Sequence, residues 1–160
     1  MNCLGVSCSS SGIAVTALHE KYLISNVLNS PKCYGKGETN LMLDMHRNHL
    51  VSLTYKYNID TLALKQVENT SFSHRRGLTD GQRDQLYLEG MVFSLAGFLG
   101  LNFKCYQKVN IIRILGGSVE GVHIYERFRD VHFVQTNMVD EENENVMKSS
   151  IAVLCAIEEE

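Results

Sequence analysis

Three apolar runs near the start of the chain decide the fold: Cys3-Leu4-Gly5-Val6-Ser7, Ile13-Ala14-Val15-Thr16-Ala17-Leu18 and Tyr22-Leu23-Ile24-Ser25-Asn26-Val27-Leu28. Each has strand length and strand composition. The connections are turn-like: Ser9-Ser10-Ser11-Gly12 between the first two, and His19-Glu20-Lys21 between the second and third. Consecutive short strands with tight turns predict an antiparallel meander. The Ser9–Gly12 stretch lacks the glycine spacing of a phosphate loop and the Lys-Ser/Thr that follows one. It also leads into a strand and not a helix N-terminus, so it reads as a hairpin turn.

Outward from the meander the pattern changes. After the loop 29–37, which holds the lone Pro31, Leu41, Leu43, Met45, Leu50, Leu53 and Tyr57 recur at helical spacing. Asp60-Thr61-Leu62-Ala63-Leu64-Lys65 reads as a short strand, and a helix-containing connection of this length suits a parallel crossover. Thr79 or Asp80 can cap a helix running to Leu99, with Leu86, Met91, Phe93, Leu95 and Phe98 as its apolar residues. Asn102–Tyr106 reads as a further strand. Val109–Leu115 is helical or turn-like, Val119–Arg129 reads as another helix, and Val131–Val134 as strand or loop. A last helix spans Glu142 to Ile157. The order β-β-β-α-β-α-β-α(-α)-α predicts one α/β domain over residues 1–160. It is built on a mixed five-stranded sheet, a three-strand antiparallel meander plus two parallel strands, with helices on both faces.

Composition narrows the classes. The chain has 160 residues, 44% of them apolar and 21% charged, as in ordinary globular proteins. No apolar run approaches the roughly 18 residues of a membrane span, and no basic-then-apolar leader opens the chain. Net charge is −3, which excludes a wholly basic nucleic-acid-coating protein but leaves room for a local basic patch. Cys3, Cys8, Cys33, Cys105 and Cys155 are odd in number and contain no C-x-x-C pair, so neither a disulfide framework nor a zinc knuckle is expected. Cys3, Cys105 and Cys155 read as small buried residues, and the expected compartment is a reducing cytoplasm.

The order and several local stretches resemble the RuvC-type branch of the RNase H-like superfamily, which includes Holliday-junction resolvases. Leu4-Gly5-Val6-Ser7 resembles the family's first strand, usually apolar-Gly-apolar-Asp. Asn58–Lys65 resembles the strand that carries a Glu. Leu88-Glu89-Gly90-Met91 resembles a helix in which Gly permits close packing. Lys104–Val109 resembles a strand and turn leading to a short helix. Ser149-Ser150-Ile151-Ala152-Val153 resembles the last helix, usually Asp-Ala-apolar-Ala-apolar. The resemblance implies two Mg²⁺ ions held by carboxylates from three places, because hard cations need oxygen anions. Here the matching positions are Ser7, Lys65 and Ser149, with Ser150 as the alternative if the register slips by one. A hydroxyl brings no charge, and a Lys amine about 4 Å from a metal opposes it by several kcal/mol at an effective dielectric of about 20. The expectation is therefore a nuclease fold without catalytic residues, metal or cofactor.

Other candidates are weighed against plain readings. Ser7 with Lys65 has the makeup of a Ser–Lys nucleophile pair, but nothing nearby suggests an oxyanion hole, so both read as polar strand ends. Glu68, Asp140 and Glu141 are the acids that could restore a metal site. His46 and His49 sit three apart on a helix, but without an H-E-x-x-H pattern they read as surface residues. Phe128 and Phe133 flank Arg129 and His132; base stacking is one reading and core packing the default. Glu158-Glu159-Glu160 reads as a solvated tail. His74-Arg75-Arg76 is the densest basic cluster, suited to phosphate contacts.

The leading expectation is a non-catalytic RNase H-like module that binds DNA, RNA or a protein partner. The alternatives are an active Mg²⁺-dependent nuclease with displaced acids, and a structural homo-oligomer.

Overall fold

A computed structural model describes residues 1–30, 38–67, 77–117 and 121–160. The predicted meander forms from β1 (Cys3–Ser9), β2 (Gly12–His19) and β3 (Tyr22–Asn29), each antiparallel to the next. α1 (Thr39–Lys56) then crosses to β4 (Thr61–Lys65), which pairs parallel with β1. α2 (Asp80–Leu99) crosses to β5 (Asn102–Tyr106), parallel with β4. α3 (Lys108–Leu115), α4 (Gly121–Asp130), β6 (Gln135–Met138) and α5 (Glu144–Glu158) complete the described elements.

The sheet has six strands in the order β5-β4-β1-β2-β3-β6, one more than expected. The extra strand is Gln135–Met138, which pairs parallel with β3 at Tyr22↔Gln135 and Ile24↔Met138. The apolar run Val131–Val134 precedes it and is not a strand. Phe133 takes a left-handed φ of 55°, and the Val134 amide donates to the Phe128 carbonyl, so this stretch makes the turn out of α4. Pairing begins only where the Gln135 amide reaches the Lys21 carbonyl.

The sheet separates two cores. Leu4, Val6, Ile13, Val15, Leu62 and Leu64 point towards α1 and α2. Cys3, Leu18, Leu23 and Ala63 point towards α5, which is backed by α3 and α4. Strand alternation puts successive side chains in opposite cores, and the sheet is covered on both faces. In α2, Leu88, Met91, Val92 and Leu95 stand at i, i+3, i+4 and i+7 and form the buried stripe. Leu86, Phe93 and Phe98 were expected in that stripe but lie outside its phase. Phe93 is 65% and Phe98 84% exposed, and Phe93 packs edge-on against Phe103 of β5. A capping box of Thr79 and Gln82 starts α2, and Gly100 ends it at φ 67°.

Gly5 is the tightest point of the fold. A Cβ there would lie 2.1 Å from the Ser149 carbonyl oxygen and 2.7 Å from Val153 Cγ2, so α5 reaches β1 through the space a side chain would occupy. Gly90 has no such role, since no atom lies within 4 Å of its would-be Cβ. The terminal acids are not a free tail. Arg127 Nε (2.8 Å) and His132 Nε2 (3.0 Å) both meet Glu158 Oε1. Burial pulls the Glu158 carboxyl up, but these two partners outweigh it and hold it below its ordinary value. The Tyr106 hydroxyl donates to Glu159 at 2.8 Å. Cys3, Cys8 and Cys155 are buried, whereas Cys105, expected inside, is exposed at the edge strand; Cys33 lies outside the described residues. Among the described residues no helix is long and apolar enough to cross a membrane.

Candidate functional site

The parallel strands β1 and β4 end together, with Ser7 and Lys65 as direct register partners. Adjacent partners in a parallel pair present side chains to the same face, here the α5 face. Ligands of open α/β sheets bind beyond such carboxyl ends, and a cleft of about 770 Å³ opens here. Its floor is Ser7 and Lys65. One side is the start of α3, with Lys108, Ile111 and Ile112, and another the first turns of α5, with Met147, Lys148 and Ile151.

Ser7 is only 3% exposed and lines the cleft, with no side-chain hydrogen bond among the described residues. Lys65 Nζ donates to the Gln66 carbonyl at 2.8 Å. Ser149 does not join them. It is fully buried, with its hydroxyl 2.8 Å from Thr16 Oγ1 and donating to the Val146 carbonyl at 2.8 Å. Ser150 lies in the same knot, 3.0 Å from Thr16 Oγ1 and accepting from the Tyr125 hydroxyl at 3.3 Å. The structure thus brings together two of the three positions expected to match the family's acids and seals the third behind them.

The displaced acids fare differently. The Asp140 amide donates to Ser25 Oγ at 3.0 Å, and Glu141 pairs with Arg129; neither residue lines the cleft. Glu68 and the cluster His74-Arg75-Arg76 lie outside the described residues. One acid went unnoticed in the sequence. Glu89 of α2 is buried, and its Oε1 accepts from the Val67 amide at 2.9 Å. Burial raises its pKa, while the Val67 hydrogen bond and the nearby Lys65 act the other way. Its signal was a charged residue in phase with Val92 and Ala96, at i, i+3 and i+7 on the buried stripe.

Two further expectations need correction. His46 is not on the surface but fully buried in the core beneath α1, its Nε2 2.9 Å from Ser30 Oγ. Its Nδ1 has no partner, and burial, with the nearby His49 adding to it, lowers its pKa to about 4. Phe133 is exposed, not packed in the core, whereas Phe128 is buried. Arg129 and His132, between them, are engaged with Glu141 and Glu158.

The cleft's charge is the reverse of a two-metal site. Lys65, Lys108 and Lys148 line it and no carboxylate does among the described residues. Lys148 Nζ lies 2.6 Å from Oε1 of Glu144, at the start of α5. Among the described residues no group of three or more His, Cys, Asp and Glu could hold a metal ion. The described lining does not fit a pair of Mg²⁺ ions, because it offers a neutral hydroxyl and cations where oxygen anions are needed.

No protein-family model and no curated protein matches the sequence. Solved structures do match. Thermus thermophilus RuvC in complex with a Holliday junction substrate has a TM-score of 0.72 at 8% identity, covering 99% of this chain and 93% of that one. A second Thermus thermophilus RuvC structure gives 0.66 at 10% identity, over 99% and 94% of the two chains. The yeast mitochondrial Holliday junction resolvase Ydc2 gives 0.60 at 12% identity, over 98% and 76%.

Proposed function

Starting from a RuvC-type RNase H-like fold, we propose that this chain binds nucleic acid and does not cut it. The observation that carries the reading is the charge of the cleft, where three lysines line the end of the parallel strands and no described carboxylate joins them. A phosphate backbone is drawn to such a surface and a divalent cation is driven from it. His74, Arg75 and Arg76 supply further phosphate contacts in this reading. Val67, which lines the cleft, is the last described residue before the segment that holds them.

The test is a salt series on labelled DNA and RNA with wild type and an Arg75→Ala, Arg76→Ala variant. Wild type binds at low salt with affinity falling steeply as salt rises. Losing two phosphate contacts flattens the slope by roughly two units and weakens all sequences alike. An unchanged affinity and slope would remove the arginines from the interface.

A protein-interaction role is the second reading, favoured by the exposed Phe93 and Phe98 on α2 and Tyr55 on α1. It takes over if wild type binds neither DNA nor RNA at low salt.

A further inference from the structure

We propose that Lys65 and Glu89 are a positioning pair that clamps the peptide group between Gln66 and Val67, just beyond β4, and so fixes the rim of the cleft; the clamp slackens when the Glu89 carboxyl takes a proton. The proposal rests on the nucleic-acid reading above and adds to it the residues that hold its site in shape.

The geometry is that of one peptide group held from both ends. Gln66 makes the last rung of the sheet, its amide donating to the Tyr106 carbonyl at 2.9 Å. The Gln66 carbonyl accepts from Lys65 Nζ at 2.8 Å, and the Val67 amide donates to Glu89 Oε1 at 2.9 Å. The C=O of one residue and the N–H of the next belong to a single planar unit and point in opposite directions. That unit therefore lies between a cation and an anion. Charge-assisted hydrogen bonds are about twice as strong as neutral ones, and two that polarise the same amide strengthen each other. Val67 lines the cleft beside Lys65 and Gln66, so a shift of this peptide moves the cleft wall.

Helix α2 sets the anion in place. Glu89 stands in phase with Val92 and Ala96 on the buried stripe and is 7% exposed. A carboxylate so placed costs stability unless it is hydrogen-bonded and a cation is near. Burial pushes the Glu89 carboxyl up, and the Val67 amide and Lys65 pull it back. Among the described residues the other titratable groups that act on it are Cys105 of β5 and Cys8 of β1. Their thiols are pushed up, by burial first and by the Glu89 charge second, so neither brings a competing charge. A proton on Glu89 replaces the charge-assisted bond by a neutral one and removes the anion opposite Lys65. The clamp is complete while Glu89 is ionised and slackens as pH falls through its titration.

The Val67 amide is the probe. In ¹⁵N-labelled protein its proton and nitrogen shifts are followed from about pH 8 to about pH 4 in wild type, Glu89→Gln and Lys65→Met. In wild type this amide titrates with a midpoint above the ordinary carboxylate range. Glu89→Gln, which keeps an acceptor but no charge, abolishes the titration, and Lys65→Met moves it to higher pH. Fluorescence anisotropy of a labelled single-stranded oligonucleotide at low salt gives the second readout. Glu89→Gln binds it about three- to tenfold more weakly than wild type at neutral pH. The two converge as pH falls through the Val67 midpoint. The direction discriminates, because loss of a negative charge alone would tighten binding of an anion.

A Val67 amide that does not titrate, or titrates alike in Glu89→Gln, overturns the clamp. Oligonucleotide binding by Glu89→Gln that equals or exceeds that of wild type shows that the pair does not position the site, and overturns the proposal too. If wild type binds no oligonucleotide at low salt, the nucleic-acid reading falls and the Val67 titration alone upholds or overturns the clamp. Should Glu89→Gln fail to fold by circular dichroism, the wild-type midpoint and its rise in Lys65→Met carry the test.

Discussion

Gly5 and Ser7 stand two residues apart on one face of β1, and they belong to regions governed by different physics. At Gly5 the strand meets α5 so closely that the Ser149 carbonyl fills the space of a Cβ. At Ser7 the same face opens into a cleft bordered by lysines. The seam is set by volume, because a packed interior has no room to give. The cleft is set by charge, and Lys108 and Lys148 on its walls reach solvent. A site of this kind can reverse its sign while the seam beneath stays intact. The chain keeps a RuvC-like fold at 8% identity, and among the described residues no carboxylate lines the cleft.

The sharpest way to break this contrast is to exchange a methyl or hydroxyl group in each region. Gly5→Ala forces a contact of 2.1 Å against backbone and costs about 3 kcal/mol or more. Ser7→Ala removes a hydroxyl with no side-chain partner among the described residues and changes stability by less than about 0.5 kcal/mol. Urea denaturation of both variants measures the difference. Equal losses would show that seam and cleft are not separate.

His46 sharpens the comparison from the opposite core, where an ionisable group sits among Met42, Leu50 and Leu53. Folding holds it neutral down to about pH 4, whereas the unfolded chain protonates it near 6.5. Between those values the unfolded state carries the extra proton. The stability contribution is therefore complete above about pH 6.5 and is lost as pH falls towards 4. The loss cannot exceed about 1.4 kcal/mol per pH unit, on the order of 3 kcal/mol over the window. Denaturation of wild type and His46→Leu at pH 7 and pH 4.5 isolates it, since only wild type carries this part of the slope. Parallel slopes would mean that His46 is not buried as described.

These regions were also unequally legible in the sequence. The meander and both crossovers could be read because apolar periodicity and the Thr79 cap state them locally. The Ser7–Lys65 pair was legible through the resemblance of Leu4–Ser7 and Asn58–Lys65 to the family's strands, whereas nothing local states the close approach of α5 at Gly5. β6 could not be read, since Gln135-Thr136-Asn137-Met138 has no apolar alternation and is a strand only because the edge of β3 is there to receive it. The phase of α2 was misjudged because counting Phe93 and Phe98 as apolar ignores which face the stripe Leu88–Leu95 selects. His46 and Glu89 are polar residues in apolar phase, each accepted because it meets a partner, Ser30 or Val67, distant in sequence. Ser149 pointed to the site by position, but its hydroxyl was claimed by Thr16, a contact 133 residues apart that no local pattern encodes.

The central claim is binding without cutting, and one substrate run on two gels tests it most directly. A labelled four-way DNA junction is incubated with purified protein in Mg²⁺ and, separately, in EDTA, then run native and denaturing. The native gel should show the same shifted complex in both conditions, because lysines and not metals hold the phosphates. The denaturing gel should show full-length strands only. Shorter product in Mg²⁺ that is absent in EDTA and disappears with Glu68→Ala would contradict the account and establish a nuclease with a displaced acid.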